Sequence, residues 1–158
     1  MKADINVFIS EYQIDKWRWE KDESTVVIHH GIDSEVFKPA NIVRRPHILT
    51  VANDYINRDW CLDFQLYRQV TDKLSVFPVG DTKGFSRPAK DIEELVSFYQ
   101  NSQVYLNTAN LSPISTALLE AASCGCAIVS VNKCMVPEIF THGKDALLSN
   151  NPQELRKY

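Results

Sequence analysis

The residues best suited to chemistry lie in the segment 112–120, which reads Ser-Pro-Ile-Ser-Thr-Ala-Leu-Leu-Glu. Pro113 suits the first position of a helix, and the pattern predicts a helix over 113–123. The first amide groups of a helix have no partner within it, and the helix dipole favours an anion there. The segment therefore predicts an anion site at the helix start, formed by the amides and hydroxyls of Ile114, Ser115 and Thr116.

Glu120 lies about two turns further along the same predicted helix. At that distance its carboxylate cannot share a phosphate with the helix start, but it could accept a hydrogen bond from a sugar hydroxyl. The alternative is a plain capped helix, with Ser112 as the N-cap and Glu120 as a solvated acid. Because Leu119 and Ala121 flank Glu120, the sequence does not require the carboxylate to be fully exposed.

Composition argues against several other kinds of site. The chain has 158 residues and a net charge of -3, whereas a protein that binds nucleic acid through phosphate contacts should be basic. Its four cysteines and four histidines form no C-x-x-C or H-E-x-x-H pattern, so we expect free thiols and no metal site. No G-x-G-x-x-G or Walker pattern follows a strand, which disfavours dinucleotide-binding and P-loop proteins.

The chain shows no membrane-spanning or secretory pattern. No apolar run reaches the ~18 residues of a spanning helix, and the N-terminus lacks the apolar stretch of a signal peptide. We expect a cytoplasmic protein, with peripheral membrane association of a full-length form left open.

Short apolar runs alternate with longer amphipathic ones. The pattern predicts strands over 5–9, 25–29, 48–52, 74–79, 104–106, 127–131 and 146–148, and helices over 10–22, 59–74, 113–123 and 136–140, after Asp91 and from Pro152. Such alternation predicts an α/β fold with a parallel sheet covered by helices on both faces. Ligands bind such sheets beyond the carboxyl ends of the strands, here after Ala52, after Val79 and in the loop 107–112.

The stretch Leu-Leu-Glu-Ala-Ala-Ser-Cys-Gly-Cys-Ala-Ile-Val-Ser at 118–130, followed by Val-Pro-Glu-Ile at 136–139, resembles the donor-binding domain of retaining GT-B glycosyltransferases of the family-four type. Further similar stretches occur in the right order, namely 26–33, 37–39, 48–58, 79–81 and 143–148. The resemblance implies a Rossmann-like sheet that is one half of a GT-B fold. It also implies a nucleotide-diphosphate sugar of the UDP or GDP type as substrate, with no metal and no cofactor.

The resemblance assigns roles to single residues. It implies that Glu120 binds the nucleotide ribose, that the amides of 114–116 hold the diphosphate or sugar, and that Arg58 neutralises the departing diphosphate. The expected nucleotide-sugar site comprises Asn53, Arg58, Lys83, Arg87, Ser112, Ile114, Ser115, Thr116 and Glu120, and the catalytic residues stay unassigned. Lys83 and Arg87 could equally belong to a solvated polar loop.

The sequence departs from the family pattern at several of these positions. Pro-Ile-Ser at 113–115 stands where the family has Gly-Phe-Gly. Ser112 stands where the family has the first glutamate of its E-x7-E motif, and Asn53 stands where it has an arginine. These departures keep open an alternative function, a non-catalytic nucleotide-binding, sugar-binding or interaction module on the same fold.

The resemblance divides the chain into residues 1–40, the end of an acceptor-side domain with its connector, and residues 41–158, the donor-binding domain. The paired histidines at 29–30 fall in the connector. We expect the donor half of a retaining enzyme that transfers a hexose to a hydroxyl acceptor. Such a half would be incomplete or inactive alone, because an N-terminal acceptor domain or partner chain is missing. The exposed cleft face could also drive self-association.

Overall fold

A computed structural model describes residues 4–111 and 114–158. The strands are β1 (Asn6–Phe8), β2 (Thr25–Val27), β3 (Arg45–Val51), β4 (Val76–Val79), β5 (Ser102–Asn107), β6 (Ala127–Ser130) and β7 (Leu147–Leu148). The helices are α1 (Glu11–Trp17), α2 (Asp59–Leu62), α3 (Phe64–Thr71), α4 (Ile92–Asn101), α5 (Thr116–Ser123), α6 (Val136–Ile139) and α7 (Pro152–Lys157).

Five strands form a parallel sheet in the order β4-β3-β5-β6-β7, and β1 and β2 form a separate parallel pair. The chain runs from β3 outward to β4 and then returns to place β5 on the other side of β3. This reversal makes a crevice between the carboxyl ends of β3 and β5, where open parallel sheets bind ligands.

Both faces of the five-stranded sheet are covered, as the sequence predicted. Tyr105 points to a cluster that includes the buried residues of α4 and α5, while the next residue, Leu106, points to a cluster beneath α3 and α7. Ile128 and Val129 divide in the same way on β6. The alternation follows from the two-residue period of a strand, and it places α4 and α5 on one face of the sheet and α3 and α7 on the other.

Helix α1 is shorter than the sequence predicted. α1 begins as predicted, because the Ser10 hydroxyl accepts a hydrogen bond from the Gln13 amide at 2.9 Å. It ends at Trp17 rather than near residue 22, because Arg18 adopts a left-handed conformation with φ +51°.

The predicted helix over 59–74 is two helices, α2 and α3, broken at Asp63 with φ +55°. The Asp63 carboxylate accepts hydrogen bonds from the Leu66 amide at 3.0 Å and from the Asn110 side chain at 2.9 Å. The break therefore caps α3 and also ties it to the loop after β5.

The start of α5 differs from the prediction, whereas its end does not. The helix begins at Thr116 with Ser115 as the N-cap residue, so a start at residue 113 is wrong. Its end is a Schellman motif at Gly125, with hydrogen bonds from Gly125 to Ala122 and from Cys126 to Ala121. Ser112 and Pro113 lie outside the described residues.

The β1–α1–β2 segment is attached to the main sheet through α6. The Glu138 carboxylate accepts hydrogen bonds from the amides of Glu11 and Tyr12, at 2.9 and 2.8 Å. These are first-turn amides of α1, which an anion satisfies well. The division of the chain at residue 40 stays a prediction.

Candidate nucleotide-sugar site

A cavity of about 440 Å³ lies at the crevice between β3 and β5. It is lined by Val51, Ala52, Asn53, Arg58, Leu62, Leu95, Ala109, Ile114, Ser115, Thr116, Ala117 and Glu120. Six residues that the sequence assigned to the site, Asn53, Arg58, Ile114, Ser115, Thr116 and Glu120, therefore surround one space.

Arg58 stands at the start of α2 with its backbone held and its side chain exposed. Its amide donates to the Asp54 carbonyl at 2.9 Å, and its carbonyl accepts from the amides of Cys61 and Leu62. Within the described ranges, the guanidinium has neither an ion pair nor a hydrogen bond. A cation on a fixed backbone with free donors is suited to an anionic ligand.

The loop that carries Arg58 is supported by the loop after β4. The Asp81 carboxylate accepts from the Asp54 amide at 2.6 Å, and the Thr82 hydroxyl accepts from the Tyr55 amide at 2.8 Å. Tyr55 and Thr82 are buried, so the second bond satisfies an amide that water cannot reach.

Gly80 permits the close approach of these two loops. Its φ is +141°, and a Cβ atom added there would lie 1.9 Å from the Ala52 carbonyl oxygen. A side chain at this position would force the loop after β4 away from the end of β3.

The start of α5 presents polar groups from Ser115 and Thr116 beside a buried tyrosine. The pKa of Tyr105 is raised by burial, while a hydrogen bond with the Ser115 side chain acts in the opposite direction. Ile114 is buried and forms part of the apolar wall. Because α5 begins at Thr116, its first free helical amides are those of Thr116 and Ala117. Of the three amides that the sequence suggested, only that of Thr116 therefore lies within the helix.

Glu120 is half-buried and lines the cavity. Its Oε2 atom accepts a hydrogen bond from the Tyr99 hydroxyl at 2.8 Å. No other residue of the described chain donates to this carboxylate, so Oε1 is available to a ligand.

Lys83 and Arg87 are exposed and do not line this cavity. Arg87 pairs with the Glu94 carboxylate at 3.0 Å and lies over the Phe98 ring, 5.0 Å from its centroid. The Glu94 carboxylate accordingly raises the pKa of Arg87. Arg87 instead lines a separate pocket with Arg45.

The sequence did not indicate the residues that shape the cavity without being expected to bind the ligand. Leu62, Leu95 and Ala109 supply apolar walls, and the Tyr99 hydroxyl supports Glu120 through a hydrogen bond. Leu95 and Tyr99 are four residues apart, so helical periodicity could place them on one buried face. Nothing local in the sequence indicates which tyrosine meets Glu120.

In the described part of the chain, no group of three or more histidine, cysteine, aspartate or glutamate residues could hold a metal ion. All four cysteines are free, and burial raises the pKa values of Cys124 and Cys126 to about 11. No described helix combines the length and the apolar character needed to cross a membrane.

Residues 87–158 match the protein family described as "Glycosyl transferases group 1". The fold matches one Rossmann-like half of the GT-B fold, as the resemblance in the sequence implied. A search of curated proteins returned no match to this chain.

Three solved structures illustrate the similarity of the fold. Sucrose-phosphate synthase from Thermosynechococcus elongatus has a TM-score of 0.78 and 16% identity, covering 99% of this chain and 48% of its own. Anabaena HepE in complex with UDP and glucose has a TM-score of 0.74 and 14% identity, and the match covers 98% of this chain and 52% of HepE. The C-terminal domain of the LpcC glycosyl transferase from Francisella tularensis has a TM-score of 0.59 and 13% identity, with coverages of 80% and 85%. The chain thus spans about half the length of the first two.

Proposed function

We propose that this domain binds the nucleotide-diphosphate sugar donor of a retaining hexosyltransferase in the cavity between β3 and β5. The observation that carries the proposal is the meeting of Arg58, the start of α5 and Glu120 around one space at the topological reversal of the sheet. The UDP complex of Anabaena HepE, whose fold is similar, supports a nucleotide-sugar substrate.

The lining residues suggest a division of roles. Arg58 and the first amides of α5 would hold the diphosphate, and Glu120 would accept a hydrogen bond from a ribose hydroxyl. When the bond between the anomeric carbon and the diphosphate oxygen breaks, negative charge collects on the diphosphate. Donors already oriented toward that charge lower the barrier, and this is the contribution that we assign to the domain.

Transfer to an acceptor requires a second binding surface. In our proposal a hydroxyl acceptor is held by an N-terminal acceptor domain or a partner chain. Holding both substrates at reacting distance is worth roughly 7–11 kcal/mol, so the 158-residue chain alone should bind the donor without forming a glycoside. Separate assays of nucleotide release and glycoside formation test this expectation, and robust glycoside formation by this chain would contradict it.

Calorimetric titration with UDP-, GDP- and ADP-hexoses tests the donor site. Glu120→Ala should weaken binding of the preferred nucleotide by about 1.5–3 kcal/mol, because a charged acceptor is lost. Glu93→Ala, at an exposed glutamate on α4 outside the cavity, is the matched control and should bind normally. Unchanged binding in Glu120→Ala would refute the ribose contact, and failure of every nucleotide to bind the unmodified chain would refute the proposed function.

One observation favours the alternative of a non-catalytic module. Among the residues described, Arg58 is the single cationic side chain that lines the cavity, with Asn53 on the neighbouring wall. One arginine stabilises a leaving diphosphate less than two would. An assay of the domain joined to an acceptor domain distinguishes the two functions, since the module would bind nucleotide and transfer no sugar.

A further inference from the structure

We propose that Tyr99 is a positioning residue that holds one oxygen of Glu120, so that the other oxygen selects nucleotides carrying an intact ribose. The inference rests on the proposed function and specifies the part of the ligand that Glu120 recognises. Tyr99 does not line the cavity itself and acts only through Glu120.

The contact joins two helices on the same face of the sheet. Tyr99 lies on α4 and is completely buried, with its ring against the rings of Phe37 and Tyr105 at centroid distances of 6.1 Å. Its hydroxyl donates to Oε2 of Glu120 on α5 at 2.8 Å. The ring contacts leave the phenol little freedom, so the position of the donor is set by the core.

The direction of this hydrogen bond is also determined. Burial raises the pKa of Tyr99, and the neighbouring Tyr105 and Glu120 raise it further. The phenol therefore stays protonated across the physiological range and serves as a donor to the carboxylate. Oε2 is occupied, and Oε1 has no donor from any described residue.

Arg44 holds the two helices together near the same point. Its guanidinium donates to the Tyr99 carbonyl at 3.1 Å, near the end of α4, and to the Cys124 carbonyl at 2.5 Å, just past the end of α5. A cation placed at two helix C-termini is favourable to both dipoles. The spacing between Tyr99 and Glu120 is thus maintained by the backbone as well as by their own hydrogen bond.

A carboxylate held at one oxygen cannot turn to find another donor. A ribose hydroxyl that reaches Oε1 completes its hydrogen bonding, whereas a deoxyribose leaves a half-buried charged oxygen without its partner. Sites built to bond a ligand hydroxyl reject the analogue that lacks it for this reason. Without Tyr99, the carboxylate regains its rotation and the preference should decline.

The test compares affinities for UDP and GDP with those for their 2′-deoxy and 3′-deoxy analogues. The unmodified domain should prefer the ribonucleotide over at least one analogue, and Tyr99→Phe should reduce that preference about fivefold by weakening ribonucleotide binding alone. Tyr67→Phe is the matched control, because Tyr67 is equally buried but its hydroxyl has no hydrogen-bond partner in the described structure. Its preference should equal that of the unmodified domain.

Each other outcome has a separate meaning. If the unmodified domain binds neither UDP nor GDP, the proposed function and this inference both fall. If it binds but the preference is absent, or is unchanged in Tyr99→Phe, only the inference is overturned. An equal loss of affinity for the ribonucleotide and both analogues would show a structural role for Tyr99 and would likewise overturn it.

Discussion

The loops after β3 and β4 leave the same edge of the sheet, and each carries an arginine, yet they use it differently. Arg58 in the first loop lines the cavity, and its guanidinium has no ion pair with any described residue. Arg87 at the end of the second loop is bound to Glu94 and covers Phe98. Arg58 can therefore bind a ligand, whereas Arg87 is already paired with residues of the chain itself.

The polar side chains of the second loop follow the same rule. The side chains of Asp81 and Thr82 accept hydrogen bonds from the amides of Asp54 and Tyr55. They therefore hold the first loop in place and do not line the cavity. The two loops therefore differ less in residue type than in whether their polar side chains already have partners within the chain. The loop after β4 supports the loop after β3, which carries the arginine of the cavity. Substitutions in these loops and in their contacts test this difference.

The largest effect should come from Gly80→Ala. The new Cβ would lie 1.9 Å from the Ala52 carbonyl oxygen, so the two loops must separate. We expect the free energy of unfolding to fall by about 3 kcal/mol, measured by urea denaturation. Gly84→Ala, at φ +75° with open space around it, should cost about 1 kcal/mol and is the control. Equal losses in the two variants would mean that the loops are not in tight contact.

Arg58→Ala should weaken binding of a nucleoside diphosphate by about 1.5–3 kcal/mol, because a charged donor is removed from the anion. Arg87→Ala should leave the affinity unchanged, since that guanidinium is committed to Glu94. Calorimetric titration measures both variants. A larger loss in Arg87→Ala than in Arg58→Ala would reverse our assignment of the two loops.

Thr82→Val keeps the shape of the side chain and removes the acceptor for the buried Tyr55 amide. We expect a loss of about 1–2 kcal/mol in the free energy of unfolding, which is the cost of an unsatisfied buried group. Thr82→Ser retains the hydroxyl and should recover most of that loss. If the valine and serine variants are equally stable, the hydrogen bond contributes nothing to the support.

The smallest effect concerns acid stability. The hydrogen bond from Arg87, together with one from the Lys90 amide, lowers the pKa of Glu94. The resulting stabilisation is present above the ordinary carboxyl pKa and is lost as the pH falls through the lowered value. Urea unfolding between pH 2 and about 5 should therefore show a shallower acid decline for Glu94→Gln than for the unmodified chain. Glu93→Gln is the comparison variant, and identical slopes for all three proteins would exclude the effect.

The sequence predicted those parts of the fold whose signals are local. The starts of α1 and α4 and the end of α5 lie where the sequence predicted them. Each is fixed by a few adjacent residues, namely the capping side chains of Ser10 and Asp91 and the turn at Gly125. The break at Asp63 was missed, since one of the groups that its carboxylate binds, the Asn110 side chain, lies 47 positions further along the chain.

The candidate site divides in the same way. The resemblance grouped Arg58 with Glu120, and these two residues do line one cavity. The sequence could not show that Arg87 forms an ion pair with Glu94, because that pairing depends on where α4 packs. Tyr99 was missed because its contact with Glu120 exists only once α4 and α5 lie side by side.

The attachment of α1 to Glu138 has a consequence for the order in which a ribosome makes the protein. The paired groups are 127 and 126 positions apart, so α1 emerges long before its acceptor has been synthesised. Closing so long a loop is not in itself prohibitive, because each doubling of length adds only about 0.6 kcal/mol. The first helix must nevertheless wait, undocked, until α6 has left the ribosome.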